Sequence, residues 1–149
     1  MTYATAEQVI ERYGARTVQL LTDRAGAGVL DPVVLERALA DAAAEIDTWL
    51  AVKYDLPLFS PPASPPEVLT RLAVDIAVYR LAAGADLATD ERRRRYEDAV
   101  KLLERLARGE ASLGLADPPA SAVGGVKISR RPRRFSREVF LSAAEEPIP

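Results

Sequence analysis

Residues 66–83, PEVLTRLAVDIAVYRLAA, place apolar side chains nearly all the way round a helix. Val68, Leu69, Leu72, Ala73, Val74, Ile76, Ala77, Val78, Tyr79 and Leu81 leave only Arg71, Asp75 and Arg80 as clear interruptions. A helix with almost no polar face is normally one that partners surround. This stretch is therefore the expected central helix of an all-α bundle, with one helix of the chain on one side. On the other side lies either the next helix or a neighbouring subunit, which makes Val74, Val78 and Leu81 the subunit-interface candidates. Its start is expected at Ser64 as cap, with Pro65 in the first helical position and Glu67 in the third. Gly84 is the expected stop. Arg71 and Asp75 stand four apart, where they can pair.

A second long helix should begin at Asp31, a good N-cap, with Pro32 behind it. Leu35, Leu39, Ala42, Ile46, Trp49 and Lys53 recur at helical spacing, with Leu50 beside them. Trp49 is the largest apolar group of that face, and Tyr54 follows where the helix should be ending. Asp55, Leu56 and Pro57 then stop it, because the residue before a proline is driven out of helical geometry. The loop FSPPASPP, residues 59–66, has four prolines in eight residues and should run stiff and extended. A third long helix is capped by Thr89 or Asp90 and stops at Gly109, burying Tyr96, Val100, Leu103 and Leu106. Its outer face sets Arg93–Glu97, Arg94–Asp98, Glu97–Lys101 and Glu104–Arg108 at four-residue spacing. Two short helices should precede all of these. The first is opened by the capping-box pair Thr5 and Gln8 and ended by Gly14; the second runs from Ala15 to Leu21.

The fold expected is thus a small helical bundle, three main helices plus short N-terminal helices, over residues 1–109. Residues 110–149 read as a linker and a basic C-terminal arm, extended or in a short strand. The linker holds Pro118, Pro119, Gly124 and Gly125 among small residues. The formal net charge of −2 hides an uneven layout. Residues 1–89 carry 7 basic and 12 acidic side chains, whereas residues 126–140 carry 6 and 1.

Composition closes several chemical routes. The chain has no cysteine, hence no disulfide, zinc–thiolate site or thiol nucleophile, and no histidine, the commonest general base and transition-metal ligand. The acid pairs Asp41/Glu45 and Glu45/Asp47 read as helix surface. The glycines of residues 26–28 and 124–125 lack the strand–loop–helix frame of a phosphate loop. No catalytic residue, cofactor site or metal site is expected. The N-terminal segment lacks the basic start and apolar run of a secretory signal. No stretch approaches the roughly 20 apolar residues that span a bilayer. Synthesis in a cytoplasm and no membrane contact are expected.

Two arginine clusters invite a binding role. Arg92–Arg95 are consecutive, so a helix spreads them around its circumference, and a solvated face is the expectation. The arm is the better docking candidate: Lys127, Ile128, Arg130, Arg131, Arg133, Arg134, Phe135, Arg137 and Phe140 mix guanidinium groups with apolar anchors. That mixture serves protein interfaces and nucleic-acid contacts alike.

Taken together, YATAEQVIERYG, ALADAAAEIDTWLAVKYDLPL, the proline loop, PPEVLTRLAVDIAVYRL, RRYEDAVKLLERLARGEASL and RRFSRE resemble the Mu-like prophage protein family. That family is similar in layout to the head–tail adaptors (connectors) of tailed phages and gene transfer agents. The resemblance covers about residues 2–141, and its most distinctive pieces are residues 45–58 and 133–138. The signature residues, also expected in the core, are Ile46, Trp49, Leu50, Tyr54, Leu56, Pro57, Leu72, Ile76, Tyr79 and Tyr96. The resemblance implies a structural virion neck protein that completes the head. It would form a homo-oligomeric ring, twelvefold, on the portal, with the arm as portal anchor. A tail, stopper or tail-terminator protein would bind its other face, and DNA would pass without sequence-specific binding. The rival reading is a small cytoplasmic nucleic-acid-binding or regulatory helical protein that uses the arginine arm.

Overall fold

The computed structural model describes residues 2–59 and 63–115. Five helices carry these residues: α1 (Ala6–Tyr13), α2 (Ala15–Thr22), α3 (Pro32–Leu50), α4 (Glu67–Gly84) and α5 (Asp90–Arg108). The fold is an all-α bundle, with no strand among the described residues. The linker beyond residue 115 and the whole arm lie outside them, including Lys127, Ile128, Arg130, Arg131, Arg133, Arg134, Phe135, Arg137 and Phe140.

Most helix ends follow from their capping residues. Thr5 Oγ1 accepts the Gln8 N–H while the Gln8 side chain accepts the Thr5 N–H, closing a capping box on α1. Gly14 ends α1 and starts α2 with one residue, at φ 82°, a backbone state that side-chain-bearing residues rarely adopt. Asp31 Oδ1 accepts from the N–H groups of Val33 and Val34 at the head of α3. Thr89 caps α5, and Gly109 terminates it in the left-handed conformation. The start of α4 differs from expectation. Ser64 makes no cap, and the helix begins only at Glu67, after both prolines. Pro66 excludes helical geometry at Pro65 just as Pro65 does at Ser64, so the pair pushes the helix start beyond itself.

α4 is largely enclosed by its own chain, with only Glu67, Arg71, Arg80, Ala83 and Gly84 exposed along it. It packs against α3 most extensively, then α5, α2 and α1. Leu69, Leu72, Val74, Ile76, Ala77, Val78, Leu81 and Ala82 are buried along it. Val74, Val78 and Leu81 are 0%, 1% and 2% exposed and so cannot serve as a subunit interface. The α1–α2 pair, absent from the sequence argument about α4, supplies the cover that a neighbouring subunit was invoked to give. α3 runs antiparallel to α4: Val34, Arg37 and Ala38 flank Arg80 and Leu81, whereas Tyr3 joins Asp47 to Thr70 at the other end. The buried face of α3 (Leu35, Ala38, Leu39, Ala42, Ala43, Ile46, Leu50) is broader than a single stripe. α5 contributes Ala99, Leu103 and Leu106 and lies against α4 and α3. The backbones of α1 and α2 approach α3 and α4 but not α5. The α3–α4 pair is therefore a central layer with α5 on one side and α1–α2 on the other.

Several signature residues sit less deeply than a core assignment requires. Trp49 is only half-buried at the edge of the core, since an indole is rarely enclosed completely. Tyr79 and Tyr96 are also half-buried. Leu56 and Pro57 are exposed: the chain turns outward after Tyr54, and Leu58 and Phe59 are the residues that fold back onto the core. Phe59 meets the Tyr3 ring edge-on, with centroids 5.7 Å apart. Ile46, Leu50, Tyr54, Leu72 and Ile76 are buried.

Tyr54 is enclosed, and its hydroxyl has no hydrogen-bond partner among the described residues. A buried donor left unpaired costs on the order of 1–3 kcal/mol. Tyr54→Phe removes that cost and keeps the ring, so chemical denaturation of the variant should show unchanged or increased stability, by up to about 1 kcal/mol.

Candidate interaction surfaces

Polar side chains at the helix seams are committed to joining helices. Tyr3 donates its hydroxyl to Asp47 on α3, and its carbonyl accepts from Thr70 Oγ1 on α4 at 2.9 Å. The segment before α1 is thereby clipped across the central layer. Tyr13 at the end of α1 donates to Asp75 Oδ1 at 2.8 Å, and Arg95 of α5 reaches the same hydroxyl at 3.3 Å. Asp75 thus faces Tyr13 rather than Arg71. Glu45 of α3 takes Arg80 of α4 at 2.6 Å and the Tyr96 hydroxyl of α5 at 3.0 Å. Tyr79 stacks on Tyr96 with ring centroids 4.5 Å apart. Glu45 and Asp47, which the sequence suggests are plain helix surface, are part-buried acceptors between helices. Their partners stand 51 and 44 residues away, so no local spacing could have revealed them.

Burial, reinforced by Asp47, holds the Tyr3 phenol well above the ordinary tyrosine range. Burial and Asp75 raise the Tyr13 phenol, with Arg95 opposing, and burial and Glu45 raise that of Tyr96. Hydrogen bonding to Glu45 raises the Arg80 guanidinium in turn.

The four consecutive arginines diverge. Arg92 donates to the Leu87 carbonyl at 2.7 Å, closing the α4–α5 turn. Arg93 lies 3.4 Å from Asp90 and 3.8 Å from Glu97, and Arg95 pairs with Glu91. Arg94 has no ion pair among the described residues. Further along α5, Lys101 pairs with Asp98 at 3.6 Å and Arg108 with Glu104 at 3.8 Å. The glycines at 26 and 28 shape a turn closed by Asp23, whose carboxylate accepts the Ala27 and Gly28 N–H groups at 2.8 and 2.6 Å. Those N–H groups hold the Asp23 carboxyl below its usual range.

A groove of about 770 Å³ lies between the segment leading into α1, α3, and the start of α4. Thr2, Thr5, Glu7, Gln8, Glu36, Ser64, Pro65, Glu67 and Thr70 line it, with Leu39 among the apolar residues. Among the described residues its charged lining is three carboxylates, with no basic side chain. They stand too far apart to chelate: among the described residues no three acidic groups gather closely enough to hold a metal ion. Backbone N–H groups at the head of α1, with Thr5, hold the Glu7 carboxyl below its usual range and thus ionised. The groove was not singled out from the sequence, because its acids come from three separate elements. Among the described residues no helix is long and apolar enough to cross a membrane.

The raised phenols make a pH prediction. Tyr3, Tyr13 and Tyr96 ionise less readily folded than unfolded, so the native state binds more protons above the ordinary tyrosine value of 10.0. Stability then falls as pH rises past that value, and the contribution is fully present below it. Urea midpoints should be flat from neutral pH to about 9 and then decline. Tyr3→Phe should cost about 1 kcal/mol at pH 7, through the lost bond to Asp47, and flatten the alkaline decline.

Comparison with known proteins bears on the family that the sequence resembles. A family model described as Bacteriophage Mu, Gp36 matches residues 3–129. The chain is 39% identical to the Mu-like prophage FluMu protein gp36 of Haemophilus influenzae over 115 residues, 77% of each chain. It is 32% identical to Gene product J of Escherichia phage Mu over 142 residues, 93% of this chain and 96% of that one. The match begins in the Tyr3 clip and runs through all five helices, so it takes in the seams as well as the core. On this extent of similarity, the chain belongs to the Bacteriophage Mu Gp36 family.

Proposed function

We propose that this chain is a non-catalytic subunit of the virion neck, a head–tail adaptor that assembles as a ring on the portal and completes the head. The observation that carries this is membership of a Mu phage family in a chain whose seam polar groups are occupied in joining helices. Asp47, Asp75 and Glu45 each hold a tyrosine hydroxyl, an arrangement that makes a rigid block rather than a reaction centre. A ring subunit needs such a block, together with surface for its neighbours and a segment that reaches the portal. The basic arm of residues 126–141 is the proposed portal anchor, and many modest contacts repeated around a ring give avidity without a dominant hot spot. The acid-rich body would let DNA pass without adhering.

The test is affinity recovery of the tagged full chain from cells producing particles, read by mass spectrometry and electron microscopy. Recovery with portal and tail proteins, and label at the necks of particles, is the expected result. Recovery with nucleic acid alone, released by salt and free of virion proteins, would overturn the proposal in favour of a nucleic-acid-binding protein.

A further inference from the structure

The groove and α5 lie on opposite sides of the central α3–α4 layer, and their charges are complementary. Glu7, Glu36 and Glu67 line the groove, are exposed, and have no ion-pair partner among the described residues. On α5, Arg94, Lys101 and Arg105 are exposed and spaced seven and four apart, which aligns them in a net-basic stripe, with Asp98 beside them, on the face away from Ala99, Leu103 and Leu106. Arg94 and Arg105 have no ion pair among the described residues, and Lys101 has only the 3.6 Å contact with Asp98. Within one molecule the backbones of α1 and α5 do not approach each other, and Arg95 alone is seen to reach α1, at Tyr13.

We propose that the partner of the groove is a second copy of this chain, whose α5 stripe enters it. The contact is heterologous: each copy offers its groove to one neighbour and its α5 stripe to the other, and such contacts close into rings when the rotation per copy divides the circle. This rests on the ring reading above and adds to it which two surfaces meet. It also accounts for assembly without apolar side surface, since the apolar face of α4 is consumed inside the subunit. Charge sets the register, and ionic strength should weaken the contact, because both surfaces are solvated when apart.

The absence of cysteine allows a direct test in the full chain. Glu36→Cys and Arg105→Cys are introduced together, and the protein is treated with a short bismaleimide both as purified protein and in isolated particles. A ladder of covalent multimers is expected from the double variant, and no species beyond a dimer from either single variant. Adding Arg94→Glu and Glu67→Arg separately should each weaken the ladder, and adding both should restore it. Circular dichroism confirms that each variant keeps its helices. Absence of a ladder from both preparations would overturn the proposal. Absence of a ladder with the protein present at particle necks would remove this contact and leave the adaptor role standing. A ladder with the protein missing from particles would do the reverse.

Discussion

The structure depends on the absence of a polar face on α4. Eighteen residues with a nearly continuous apolar surface must lose most of their water, and that requirement recruits every other helix. α3 and α5 cover two sides, as the hydrophobic period of each suggests. The remaining side is closed by α1 and α2, eight residues apiece and too short to be stable alone. They are held by the capping box at Thr5, the Gly14 turn and the Tyr3 and Tyr13 hydroxyls. The two short helices thus owe their stability to α4, and α4 owes its burial to them.

This mutual dependence explains what could be read from the chain and what could not. Capping residues act within three or four positions, so Thr5, Asp31, Thr89 and Gly109 announce their helix ends. Ser64 misleads because its local signal competes with a second local rule, the geometry imposed by consecutive prolines. Periodicity finds the buried faces of α3 and α5 but counts sides, not neighbours. Nothing in Val74, Val78 or Leu81 says whether a helix of the same chain or of another copy covers them. The tyrosine contacts with Asp47, Asp75 and Glu45 span 44 to 62 residues and become visible only once the helices are packed. The groove is likewise a product of packing, since its three carboxylates come from α1, α3 and α4.

The same accounting of surfaces bears on function. With the apolar helix closed inside the subunit, what remains outside α1–α5 is mostly charged. The residual apolar groups, such as Leu20, Val29, Val33 and Val52, come from different stretches of the chain, and Leu20 meets Leu87 at one shallow concavity. Apolar groups are an ordinary part of a protein surface. In the proposed ring, association of copies would then fall to electrostatic complementarity and to avidity. In that proposal a body stiffened by seam contacts would supply the shape, and the basic arm the attachment.

The central claim is that α4 is buried by its own chain. Amide hydrogen exchange of the full-length protein, followed at high dilution and again at high concentration, tests it most directly. Amides of α4 should be the slowest to exchange, at rates independent of concentration, because opening them requires unfolding the subunit. Protection of α4 that is weak when dilute and rises with concentration would contradict the account, and would return this helix to the interface between copies.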